Sequence, residues 1–349
     1  MRIERLRAGS RPGPELVGSI LTRDIAVGAE RWRKGRVLHA ADLARVEAAD
    51  AFEPPGEVSV LVREPDELHE DEAALRLAEA IAGPGLTRHG PLESRVDLRA
   101  SHDGVLRVRV AALERLNRLD PLEAFSAFDG GIVSSGDLVA SVKVAPHLVP
   151  SSVVERAEAI GARSGPIVSV EAFRPHRIGV LVRERVRGAA RERFERSVRD
   201  KIEQLGSRLT RIEYVDEDPR AVAAALRRLT TGRGHAQIVL TAGAASTDPL
   251  DPIFTALGEV GGRVVRRGVP AHPGSMLWLG RIGSIAVLGL PTCGAYSKAT
   301  AVDLLLPRLL AGEPASAATI ARLGHGGVLT RDQRFRFPRY ARELEAPEG

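Results

Sequence analysis

Cysteine is nearly missing from this 349-residue chain: Cys293 stands alone, which excludes an intrachain disulfide framework and any cysteine-rich metal centre. Aromatic residues make up only 4%, so the core must be built from Leu, Val, Ile and Ala. Lysine occurs only at 34, 143, 201 and 298, leaving arginine to carry almost all the positive charge. Those arginines alternate with acids along the whole chain. Despite a formal charge of +5, no basic block or basic–aromatic interleaving forms, and a nucleic-acid partner is not expected. No run of about 20 apolar residues occurs, nor an N-terminal apolar run of signal length, so neither a membrane span nor secretion is expected and the reading is a cytoplasmic protein. The Gly-x-x-x-x-Gly-Lys-Ser/Thr phosphate loop is absent as well.

The remaining 44% hydrophobic and 27% charged residues are those of a globular chain long enough for two domains. Residues 1–170 are punctuated by Pro54-Pro55, Gly83-Pro84-Gly85, His102-Asp103-Gly104 and Asp129-Gly130-Gly131. Between these turns lie short β-type runs at Val58–Val62, Val105–Val110 and Leu138–Val144, with one helix over 66–81. This half reads as a strand-rich α+β region, with room for two subdomains. Residues 329–349, rich in Arg and Glu, read as a charged and poorly ordered tail.

Residues 175–328 change rhythm. Ile178–Val182 is a continuous apolar run of the kind buried on both faces of a parallel sheet. Phe194, Val198, Ile202 and Leu205 then recur at helical spacing. Further strands are expected at 209–215, 237–240, 275–279 and 285–290, with helices from Pro219, near 252–257 and over 298–310. Such alternation predicts an α/β fold with a doubly wound, Rossmann-like parallel sheet. Ligands of such sheets bind beyond the carboxyl ends of the strands.

Three loops fall at that edge. Thr241-Ala242-Gly243-Ala244-Ala245-Ser246-Thr247-Asp248-Pro249-Leu250-Asp251 follows a buried strand. Its small residues let backbone N–H groups approach an anion, Ser246 and Thr247 offer hydroxyls, and Asp248 and Asp251 are suited either to a divalent cation or to capping the next helix. Pro270–Ser275 forms a turn. Gly289-Leu290-Pro291-Thr292-Cys293-Gly294 joins a strand to the last helix, where Cys293 is either a small filler or a thiol activated by a helix N-terminus. Elsewhere, His69-Glu70 begins like a zinc-protease motif, but no His follows at i+4 and an exposed helix start is the simpler reading.

As an ordered set, Thr241–Asp251, His272-Pro273-Gly274, Gly289-Leu290-Pro291 and the segment Leu304–Glu313 resemble the molybdopterin-binding domain of the gephyrin-type, MoaB/Mog/MoeA-like family, over roughly 140 residues and in a branch with a dedicated N-terminal region. The resemblance implies molybdopterin as ligand or substrate, held by Thr241, Gly243, Ala244, Ser246, Thr247, Asp248, Pro273, Gly274, Ser275, Gly289, Pro291 and Thr292. It implies catalytic acids at Asp251 and at Asp216, Glu217 or Asp218, with magnesium on Asp251 and Asp218 and ATP or AMP as co-substrate. It also implies a homo-oligomer, and a molybdoenzyme or nucleotidyltransferase as partner.

Three departures stand against full transfer chemistry. Asp248-Pro249 replaces a Gly-Asp pair, Ser275 replaces a Lys, and Thr292-Cys293-Gly294 replaces Gly-Asn-Pro. The expectation is therefore a binding or delivery protein in molybdenum cofactor biosynthesis. An active molybdopterin adenylyltransferase or molybdenumtransferase is the alternative, and a nucleotide pyrophosphatase is the third reading.

Overall fold

The computed structural model describes residues 1–183, 187–243, 248–290 and 299–344. The chain divides into two units at Val170–Glu171, the second also taking in His102–Val105 and Gly130–Ser134.

In the first unit, Val58–Val62 lies between Arg2–Leu6 and Ile20–Leu21 in an antiparallel sheet. A second small sheet places Ile25–Val27 between Glu30–Trp32 and Phe52–Glu53. Helix α1 (Ala40–Glu47) adds Leu43 and Val46 to the core these strands share around the fully buried Trp32. A four-stranded antiparallel sheet follows, in the order Leu122–Ser126, Leu138–Val144, Arg95–Ala100 and Leu86–Leu92. Helix α2 (Glu70–Ile81) buries Ala73, Ala74, Leu77, Ala78 and Ile81, the stripe its 3.6-residue period dictates. Its start is set by His69, whose ring accepts the Asp71 N–H at 3.1 Å; the preceding residues Glu67–His69 pair as a short strand. Two further helices complete the unit: α3 (Val110–Leu116) and α4 (Ser151–Ser164). The sequence places a strand through Val110, whereas the strand ends at Val108 and α3 takes Val110. A Cβ on Gly161 would come within 2.2 Å of the Ala80 carbonyl oxygen, so glycine is what lets α2 and α4 approach.

The second unit is the expected α/β sheet. Its order is Arg208–Tyr214, Arg177–Val182, Ile238–Ala242, Ile285–Leu290, Trp278–Ile282 and Gly262–Arg267. The first four strands are mutually parallel and the last two antiparallel. The antiparallel edge strand Gly262–Arg267 is not among the sequence expectations. It has only two apolar residues among arginines, because an edge strand needs little burial and charge there discourages edge pairing.

Helices cover both faces. Helices α5 (Gly188–Glu203) and α8 (Ala301–Leu310) pack on Val180, Val182, Leu240 and Leu288. Helices α6 (Pro219–Thr230) and α7 (Pro252–Glu259) pack on Leu181, Val239 and Val287. Successive residues of one strand thus face opposite layers, which is why Ile178–Val182 is apolar without a break.

The C-terminal segment departs from its expected disorder. Beyond α9 (Ala317–Ala321), which precedes this segment, helix α10 (Arg339–Leu344) is formed, and Phe337, Tyr340 and Ala341 join the same core as α5 and α8. Tyr340 donates to Asp303 Oδ1 at 3.1 Å, and Lys201 Nζ donates to the same oxygen at 2.6 Å. Burial, reinforced by the Asp303 carboxylate, raises the Tyr340 hydroxyl well above its ordinary pKa. The arginine- and glutamate-rich composition concealed the apolar residues that dock this end.

Candidate functional site

Strand register brings the strand ends next to the three loops to one edge. Val182 lies beside both Tyr214 and Ala242, and Ala242 beside Leu290. Arg183, Val215 and Gly243 therefore leave the sheet together, at its carboxyl end. The strand Trp278–Ile282 runs the other way and pairs Trp278 with Gly289, so the Pro273–Ser275 turn that precedes it reaches the same edge.

At the centre is a residue the sequence reading passed over. Arg183 follows the apolar run directly and is only 4% exposed. Its Nη2 donates to Asp251 Oδ2 at 2.7 Å and also to the Gly243 carbonyl. Its Nε and Nη1 are buried and have no hydrogen-bond partner among the described residues. A cation taken this far from water demands acceptors for its whole fork. The detectable signal was an Arg placed directly after an apolar strand, at the ligand edge of the sheet.

The predicted acids have distinct environments. Asp251 is buried; Oδ1 accepts the Ile253 N–H at 2.9 Å and caps α7, while Oδ2 meets Arg183. Asp218 accepts the Ala221 N–H at 2.8 Å and caps α6. Asp216 and Glu217 are exposed beside it. Asp248 accepts the Leu250 N–H at 2.8 Å from an exposed position. Among the described residues, no group of three His, Cys, Asp or Glu side chains is arranged to hold a metal ion. At the neighbouring strand end, burial and the hydrogen bond to Glu195 push the Tyr214 hydroxyl up to about 12.

The predicted binding residues divide in the same way. Thr241 is fully buried at the end of its strand. Gly243 has φ +87°, a backbone state that an L side chain rarely adopts. The Pro273 carbonyl accepts the Ala301 N–H at 3.0 Å, and a Cβ on Gly274 would come within 2.7 Å of that nitrogen. The turn thus sits tightly on the start of α8. Ser275 is half-buried, its carbonyl accepting the Val269 N–H. Gly289 lies inside its strand, and a Cβ there would overlap the Trp278 indole, so packing accounts for this glycine. Ala244, Ser246, Thr247, Pro291, Thr292 and Cys293 lie outside the described residues.

What the described edge offers is a buried guanidinium with two undirected nitrogens, one ion-paired carboxylate and closely approaching backbone. That set suits an anionic ligand. No helix among the described residues is long and apolar enough to cross a membrane.

Residues 179–311 match the family described as "Probable molybdopterin binding domain". No curated protein matches the chain. Among solved structures, a molybdopterin biosynthesis MoeA protein from Pyrococcus horikosii is similar at 15% identity, over 74% of this chain and 81% of that one, with a TM-score of 0.32. The molybdopterin biosynthesis enzyme MoaB from Thermus theromophilus is similar at 19% identity, over 40% of this chain and 99% of that one, with a TM-score of 0.29.

Proposed function

We propose that the protein binds molybdopterin or its metallated cofactor at the Arg183–Gly243 edge, for use in molybdenum cofactor biosynthesis or delivery to a molybdoenzyme; the match of residues 179–311 to the probable molybdopterin binding domain supports this reading. The observation that carries this reading is the buried Arg183 fork, which has one carboxylate partner and two nitrogens unused among the described residues. A phosphate-bearing ligand would supply the missing acceptors with charge-assisted hydrogen bonds. Thr241 and the Gly243 backbone line the same edge.

Binding is favoured over magnesium-assisted transfer because both Asp251 oxygens are already engaged, one by a cation. A divalent ion on Asp251 would have to displace Arg183 from a buried pair. Asp218 has one oxygen engaged in capping and stands on an exposed loop. The transferase reading therefore needs a rearrangement that the binding reading does not. Cytoplasmic location, self-association and a nucleotidyltransferase partner belong to the same proposal; a monomer by light scattering would remove the self-association.

The test is to titrate purified full-length protein with molybdopterin, following pterin fluorescence, and then to add ATP, magnesium and molybdate. Binding without turnover, weakened at least tenfold in Arg183→Met, is the expected result. Formation of adenylylated pterin or metal insertion that is lost in Asp251→Asn would replace the carrier with the transferase. If neither pterin nor nucleotide binds, both readings fall.

A further inference from the structure

A second basic feature lies wholly within the first unit. Helices α3 and α4, with the turn that follows α3, line an open cleft of about 1060 Å3. Arg109, Arg115, Arg118, Arg156 and Arg163 line it, and no acidic side chain among the described residues does. Helix-end electrostatics accounts for two of them, since Arg115 and Arg163 sit in the last turns of α3 and α4, where carbonyl groups favour cations. It does not account for Arg109 ahead of α3, Arg118 beyond it, or Arg156 in the first half of α4.

Arg156, Ile160 and Arg163 are spaced by four and three, so they share one face of α4. Glu158, off that face, is held by Arg76 through two hydrogen bonds of 2.8 and 2.9 Å. Its charge is therefore committed away from the cleft. Arg115 Nη2 donates to Ser164 Oγ at 3.1 Å and ties α3 to the end of α4. The other four arginines are exposed and engage no acid among the described residues. Between them Val110, Leu119 and Ile160 provide an apolar floor. Like charges gathered in one concavity raise the local concentration of anions. The volume is that of a whole organic ligand and far exceeds a single phosphate.

We infer that the α3–α4 cleft binds a nucleoside polyphosphate, with phosphates on the arginine rim and the base on the Val110–Ile160 floor. This site is separate from the Arg183 edge and does not depend on the function proposed there.

The probes are ATP, tripolyphosphate and polyglutamate, titrated calorimetrically into the full chain. One ATP should bind per chain, more tightly than tripolyphosphate. The double variant R156Q/R163Q should weaken ATP at least tenfold, while Arg183→Met leaves ATP binding unchanged. All the altered cleft residues are exposed, so the fold should survive, as circular dichroism would verify; R118Q is the second variant, with a smaller loss expected. Undetectable ATP binding, binding indifferent to these substitutions, or binding lost only in Arg183→Met would overturn the assignment. Equal affinity for tripolyphosphate would remove the base from it, and preference for polyglutamate would make the cleft a docking site for acidic polypeptide instead.

Discussion

Arg183 in the second unit is 4% exposed, is paired with one buried carboxylate, and lies where four parallel strands end. The arginines of the α3–α4 cleft in the first unit are exposed, and four of the five have no acid or hydroxyl among the described residues fixing them. Water screens the second group, so each of those side chains can be lost at little cost to the fold. Desolvation raises the stakes for the first: Arg183 and Asp251 each make the other's burial tolerable. The structural role and the proposed ligand-binding role are thus entangled at one cationic site and separable at the other.

The largest effect that would expose this contrast is expected from Asp251→Ala. It strands a buried guanidinium and removes the α7 cap, and should cost about 3–5 kcal/mol in urea unfolding. Arg183→Met strands the Asp251 carboxylate in turn, but should cost less, because that carboxylate keeps the Ile253 N–H and the α7 cap is retained. Losses below about 1 kcal/mol in both variants would mean that the two residues are not a buried ion pair in solution. R156Q/R163Q in the cleft should change stability by no more than about 0.5 kcal/mol, being a surface substitution.

Packing gives the next effect. Gly161→Ala should destabilise the α2–α4 contact by about 1–3 kcal/mol, since the added methyl meets the Ala80 carbonyl; an unchanged melting temperature would show that the helices can separate without penalty. Tyr340→Phe should cost about 1 kcal/mol, by removing one hydrogen bond to Asp303 and leaving Lys201 in place. Protease sensitivity confined to the C-terminus would be its signature.

The smallest effect concerns the partly exposed pair Arg76–Glu158. The Arg76 hydrogen bonds hold the Glu158 carboxyl below its ordinary value of 4.5. A depressed folded pKa contributes stability above the unfolded value, and this contribution is lost as pH falls through the folded one. Solvent screening limits it to about 1 kcal/mol or less. Stability of wild type and Glu158→Gln measured from pH 6 downward should converge as pH falls from the ordinary value of 4.5 through the depressed folded one and the carboxyl protonates; parallel curves would assign the acid loss elsewhere.

Much of the architecture was legible because local pattern carries it. The runs Val58–Val62 and Leu138–Val144 coincide with strands, and the apolar stripe of α2 places its buried face. In the second unit, alternating strand and helix patterns announced the sheet and the edge where its strands end, and residues 179–311 match the family described as a probable molybdopterin binding domain. Short apolar runs gave less: Val105–Val110 was divided between a strand and α3, because a continuous run has no period to separate the two.

Composition and periodicity by themselves therefore determined the class of fold, the covered faces of its helices and the positions of three loops, since each depends on neighbours within a few residues. Tertiary structure alone decided which of those positions meet. Arg183 and Asp251 are 68 residues apart in sequence, Lys201 and Asp303 are 102 apart, and Tyr340 joins the latter pair from a segment whose composition suggested disorder. A buried charge is stable only beside its partner, and no local pattern names that partner; the fold had to bring the two together.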